Sequence, residues 1–174
     1  MRTIILLITM LVSVALFSQN ADQSNLPEKT EFYFVAMGGA IYGRGEPVLA
    51  AGLKFGFAKT RVGRIGPRIV FSVPVAHRFA LSIIDYDYPV QITKGFHFVP
   101  NIGLGYTQDT YSGNGYYSPD KYSYPVGFFG INGGLSLEVM PAPWLGITAG
   151  ANGMIGFSKN SSTFSLTGGF VFIL

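Results

Sequence analysis

From Phe96 to Leu174 the chain is a succession of segments in which large apolar side chains take every second position, with small or polar residues between them. A side-chain period of two is the geometry of an extended strand, which sends alternate residues to opposite faces. In Phe96 to Thr107, one face carries Phe96, Phe98, Pro100, Ile102, Leu104 and Tyr106, and the other His97, Val99, Asn101, Gly103, Gly105 and Thr107. Val126 to Met140 sets Phe129, Ile131, Leu135, Leu137 and Val139 against Gly130, Asn132, Gly134, Ser136 and Glu138. Leu145 to Ser158 sets Leu145, Ile147, Ala149, Ala151, Ile155 and Phe157 against Thr148, Asn152, Met154 and Ser158. Thr163 to Leu174 sets Phe164, Leu166, Phe170, Phe172 and Leu174 against Ser165, Thr167 and Gly169. Four more strands are expected at residues 32–43, 48–59, 64–75 and 79–92. The second shows Leu49, Ala51, Leu53, Phe55 and Phe57 on its apolar face, and the third Ile65, Ile69, Phe71, Val73 and Val75. The fourth shows Ile84, Tyr86, Tyr88, Val90 and Ile92, whereas the faces of the first cannot be assigned. Pro67, Pro74, Pro89 and Pro100 blur the boundaries, since proline removes a ladder donor.

Which face is buried follows from the charges. Lys54, Arg68, Asp85, Asp87 and Glu138 all fall on the small-residue face, and the large apolar face is almost uncharged. A soluble barrel or sandwich would be apolar inside and polar outside. Polar inside and apolar outside is the arrangement of a membrane barrel. Aromatics gather near strand ends in two sets: Phe55, Phe57, Tyr88, Phe96, Phe98, Trp144, Phe170 and Phe172 at one rim, and Tyr42, Tyr106, Phe129, Phe157 and Phe164 at the other. They read as two interfacial girdles. Composition agrees: 48% of the 174 residues are hydrophobic and 12% charged, which excludes a disordered chain. The absence of Cys removes disulfides, thiolate metal sites and a lipidated N-terminal Cys. A formal charge of +3 spread over scattered basic residues is too weak a patch for nucleic acid.

The first residues read as an address. Arg2 is followed by an apolar run from Ile4 to Phe17, too short to span a bilayer as a helix, and then by polar Ser18-Gln19-Asn20. Residues 1–20 are expected to be a secretory signal peptide cleaved near 18–21, with 21–30 a flexible lead-in and 31–174 the barrel domain.

The Phe98-Val-Pro-Asn-Ile-Gly-Leu-Gly-Tyr106 strand, the Gly-rich hairpins and the amphipathic ending Phe170-Val-Phe-Ile-Leu174 resemble the small eight-stranded outer-membrane β-barrels of the OmpX and OmpA-barrel type, in the version common in Bacteroidetes-like bacteria. The resemblance covers residues 31–174. It implies an all-β fold, an eight-stranded antiparallel up-and-down transmembrane barrel in the Gram-negative outer membrane. Outer-membrane lipids, lipopolysaccharide and the barrel-assembly machinery would be its partners. Such barrels usually end on an aromatic; here Leu174 is last and Phe172 keeps the outward parity. With both termini in the periplasm, Lys59–Arg64, Thr93–Gly95 and Pro141–Pro143 would be periplasmic turns. Loops at Arg44–Pro47, Ala76–Arg78, Gln108–Pro125 and Ser158–Ser162 would face outward.

Three places are candidates for function. The first is a lumenal polar network of Lys54, Arg68, Asp85, Asp87, His97, Asn101 and Glu138. Counting across the turns places Lys54 opposite Arg68, Arg68 opposite Asp87, Asp87 opposite Asn101 and Gln91 opposite His97. An eight-stranded interior is just wide enough for side chains to fill, so this network is expected to be a plug rather than an ion pathway. The second is histidine chemistry. Neither His77 nor His97 has the Ser and acid neighbours of a lipid-modifying outer-membrane enzyme, nor metal-ligand spacing. No catalytic residue, cofactor or metal is therefore expected. The third is the long loop, with Tyr111, Tyr116, Tyr117, Tyr122 and Tyr124 among Gly, Asn and Ser, a composition that suits an adaptable extracellular contact surface. The remaining basic residues, Lys59, Arg61 and Arg64 on one rim and Arg44, Arg78 and Lys121 on the other, are expected to be solvated or near lipid phosphates.

These features together indicate a monomeric barrel acting in envelope structure or surface interaction, and not a general diffusion pore. A lipid-modifying enzyme and a periplasmic ligand-binding barrel are the alternatives.

Overall fold

A computed structural model of the chain describes residues 29–42, 47–59, 62–73, 78–110, 125–157 and 162–174. The segment expected to be a signal peptide, His77 and the five loop tyrosines lie outside them.

Nine strand segments follow one another: β1 (Thr30–Tyr42), β2 (Val48–Lys59), β3 (Gly63–Ser72), β4 (Arg78–Asp87), β5 (Val90–Thr93), β6 (Phe96–Thr110), β7 (Pro125–Ala142), β8 (Leu145–Gly156) and β9 (Ser162–Ile173). β4 and β5 pair with successive stretches of the same side of β6, so together they occupy one strand position and the sheet has eight. Every pairing is antiparallel between sequence neighbours, and β1 pairs with β9 to close the ring. The seam is zipped to its end: Phe32 N donates to Leu174 O at 3.0 Å, and Leu174 N to Phe32 O at 2.8 Å. This is a closed up-and-down barrel.

Pro67, Pro89 and Pro100 sit where a missing donor does no harm, and Pro74 lies outside the described residues. Pro89 lies in the break between β4 and β5, and Pro67 at a register shift between Gly66 and Arg68. Pro100 accepts from Tyr88 N at 3.0 Å, so its absent N–H falls at that same β4–β5 break, because a strand residue's two backbone groups point to one side. The short turns at one end carry the expected chemistry. Gly63, with φ of +109°, closes the turn in which Val62 N donates to Lys59 O at 3.0 Å. A side chain there would be strained.

The faces are those the alternation predicts. Leu49 is 73% exposed and Ile155 71%, on the outer wall, whereas Asp85 is fully buried and Glu138 is 3% exposed in the lumen. Aromatic pairs form within each rim. Phe32–Phe57 and Phe34–Phe172 lie at one end, with centroids 6.2 and 6.3 Å apart, and Tyr42–Phe164 and Tyr106–Phe129 at the other, at 5.8 and 5.0 Å. β1 now acquires its faces: Tyr33, Val35 and Ile41 are buried inside, and Phe32 is exposed outside.

β4 departs from strict alternation. Its register slips against both β3 and β6 at Ile83–Ile84, and both isoleucines are exposed on the outer wall. This is a β-bulge, with one extra residue in one strand. Before it Arg78 and Ser82 point inward on even numbers; after it Asp85 and Asp87 point inward on odd ones. The register also corrects the expected facing of Arg68 and Asp87. Arg68 pairs with Ser82, and Asp87 with Arg64, because the β3–β4 ladder is already offset from the expected register at Phe71–Phe79, and the extra residue in β4 shifts the remaining pairs by one. Lys54 does stand opposite Arg68, Asp87 opposite Asn101 and Gln91 opposite His97, as expected.

Candidate functional site

The lumen is where the polar side chains converge. Period two aims Lys54 from β2, Arg64 and Arg68 from β3, Asp85 and Asp87 from β4, and Glu138 from β7 into one narrow space. They sort into two clusters. In the first, Lys54 Nζ donates to Asp85 Oδ2 at 2.6 Å and to Asp87 Oδ1 at 2.5 Å. Arg68 Nε lies 3.5 Å from Asp85 Oδ2, and Asn132 Nδ2 donates to Asp85 Oδ1 at 2.7 Å. Two cations thus face two carboxylates, and Asp85 touches three partners. In the second, Arg64 Nη1 donates to both Glu138 oxygens, at 2.7 and 2.8 Å. β3 and β7 stand three positions apart in the eight-position ring, with β4/β5 and β6 between them, so this ion pair reaches across the lumen.

Beyond the clusters, Asn101 Nδ2 donates to Asn152 Oδ1 at 2.7 Å, and Thr107 and Thr163 hydroxyls meet at 3.2 Å. Gly103 gives Asn132 its room: a Cβ there would stand 2.7 Å from the amide oxygen. Buried charges need partners at this density, and these have them.

Of the residues picked out from the sequence, the structure brings Lys54, Arg68, Asp85 and Asp87 together. Glu138 belongs to the separate Arg64 pair, and Asn101 bonds Asn152. His97 faces Glu138 across the β6–β7 ladder, and its buried Nδ1 has no partner among the described residues. Arg64 and Arg78, expected on the rims, are buried inside; Arg78 donates to Ile41 O at 3.4 Å. Parity was the missed signal for Arg64, which stands four residues before Arg68 on the same face. Parity also puts Asn132 and Asn152 on the inner face, but short amides leave no charge pattern from which to read a role.

Tyr33 adds a test of how dry this space is. Its ring lies under the Arg64 guanidinium at 5.9 Å, and its buried hydroxyl has no partner among the described residues. Tyr33→Phe keeps the ring and removes the orphan, so it is expected to raise stability by about 1 kcal/mol, read as the temperature at which the folded electrophoretic band is lost. A lower temperature would mean that the hydroxyl has an acceptor.

No protein-family model matches the chain, and no curated protein matches it in sequence. Solved structures do match. The N-terminal β-barrel domain of Pseudomonas aeruginosa OprF superposes with a TM-score of 0.62 at 15% identity, over 85% of this chain and all of that one. The chain has the fold of the small outer-membrane β-barrels. Yersinia pestis Ail, solved in complex with the heparin analogue sucrose octasulfate, gives 0.53 at 10% identity over 86% of this chain and all of its own. Neisserial surface protein A gives 0.53 at 9% identity, over 84% and 99%. At such identities the likeness is one of fold.

Proposed function

We propose that the protein is a monomeric integral barrel of a Gram-negative outer membrane, exported by residues 1–20 as a signal peptide, with residues 21–30 as a lead-in. In this reading the barrel-assembly machinery inserts it, and it acts in envelope structure or surface interaction through its extracellular loops. One observation carries the reading. Side chains from strands that are not neighbours meet inside the barrel, as in the Arg64–Glu138 pair, while the outer wall is apolar from rim to rim. The first half argues against a general diffusion pore and the second argues for lipid contact.

The same geometry weighs against the alternatives. A periplasmic ligand-binding barrel needs an apolar interior with space, and this lumen holds ion pairs. A lipid-modifying enzyme needs a histidine that lipid can reach beside a hydroxyl and an acid; of the two histidines His97, the one among the described residues, points into the lumen towards Glu138.

Interaction would fall to the loop that holds Tyr111, Tyr116, Tyr117, Tyr122 and Tyr124. Because Ail was solved with a heparin analogue, sulfated polysaccharide is the first ligand to test. Cells displaying the wild-type protein are expected to bind immobilised heparin, and cells displaying a variant lacking residues 111–122 to lose that binding while keeping a folded barrel. Equal binding by both would overturn the loop's role and leave envelope structure alone.

A further inference from the structure

Within the lumen is a cavity of about 20 Å³, lined by Arg68, Val70, Ala80, Asn132, Asn152 and Met154 among others. One of these walls is settled by its neighbour. Asp85 can only accept at its carboxylate, so Asn132 must present its nitrogen to it, and it does so at 2.7 Å. The other arm of the amide, Oδ1, is therefore an oxygen by necessity; it is fully buried and has no partner among the described residues. Arg68, on the same cavity, has five N–H donors, and its side-chain contacts with Asp85 and Ser82 are both long, at 3.5 Å. Asn132, which carries the orphan acceptor, and Arg68, a donor with capacity to spare, both line one small space.

We propose that this cavity is a binding site for a single water molecule, which donates to Asn132 Oδ1 and accepts from the Arg68 guanidinium. The volume admits one water, which needs about 10–15 Å³, and nothing much larger. The guanidinium on the wall disfavours a cation, and the size excludes an oxyanion. The water completes the hydrogen bonding of the Asp85 cluster and gives Asn132, whose nitrogen holds Asp85, a second anchor.

Ala80 supplies the test, because it lines the cavity and Ala80→Val fills it. Filling a dry cavity stabilises a protein; filling a wet one expels the water and strands the Asn132 oxygen. Ala80→Val is expected to lower the temperature at which the folded band of the detergent-solubilised barrel is lost. In an Asn132→Leu background, where no orphan oxygen remains, the same change is expected to cause no loss. A rise in the wild-type background, or an equal fall in both backgrounds (simple overpacking), would overturn the proposal. Should Asn132→Leu fail to fold, diffraction from the wild-type barrel decides. A single density peak about 3 Å from Asn132 Oδ1 is the expected result, and no peak there contradicts the site.

Discussion

Asp85→Ala is expected to destabilise the barrel by about 3–5 kcal/mol, the cost of breaking a buried ion pair by removing one partner. Asp85 accepts from Lys54 and Asn132 and faces Arg68, and it is fully buried. Its loss leaves two cations sharing Asp87 alone, in a space that bulk water cannot flood. The damage should come from charge rather than from the missing atoms. Adding Arg68→Leu restores the balance, so the double variant is expected to be more stable than Asp85→Ala by itself. Denaturant titration of the folded band checks both. If Asp85→Ala matched the wild type, the side chains around its carboxylate would not hold it; if Arg68→Leu only added to the loss, the charge argument would be wrong.

The second large effect lies on the opposite face of the wall. Leu135 stands near the middle of β7 with its side chain exposed outward, and Ile92 stands exposed close to one end of the barrel. In a bilayer, Leu135→Arg is expected to cost about 2–4 kcal/mol and Ile92→Arg about 0–1, because the penalty for a charge falls from the midplane to the interface. In water, both would change stability by less than about 0.5 kcal/mol, as surface substitutions usually do. Folding titrations into lipid vesicles give the two numbers. A depth-independent pair of small effects would mean that the outer wall does not face lipid.

The class of fold was legible because membrane barrels separate polarity by parity, and most strands here obey that rule. β1 failed it for a physical reason. Its outward positions include the small Ala36, Gly38 and Ala40, and its inward ones the apolar Tyr33, Val35 and Ile41, so no polarity contrast remained to read. β4 hid its bulge because a two-residue period assumes an unbroken ladder; the adjacent Ile83 and Ile84, both apolar, were the trace it left. The lumenal carboxylates and Lys54 were legible as charges on a small-residue face. Arg64 was not, since it stands beside a turn, where a basic residue is as much at home on the rim as in the lumen. Asn132 was legible on the inner face, but only the folded barrel shows that its nitrogen serves Asp85 while its oxygen meets no described side chain.

The most direct test of the central claim, a closed barrel in the outer membrane with an apolar wall and a polar interior, is the mobility of the protein in SDS electrophoresis before and after boiling. The expected result is an outer-membrane-fraction protein that runs faster unboiled, because the closed barrel resists SDS until heated. A protein recovered without detergent, with one mobility under both conditions, would contradict the assignment of the apolar face to the outside.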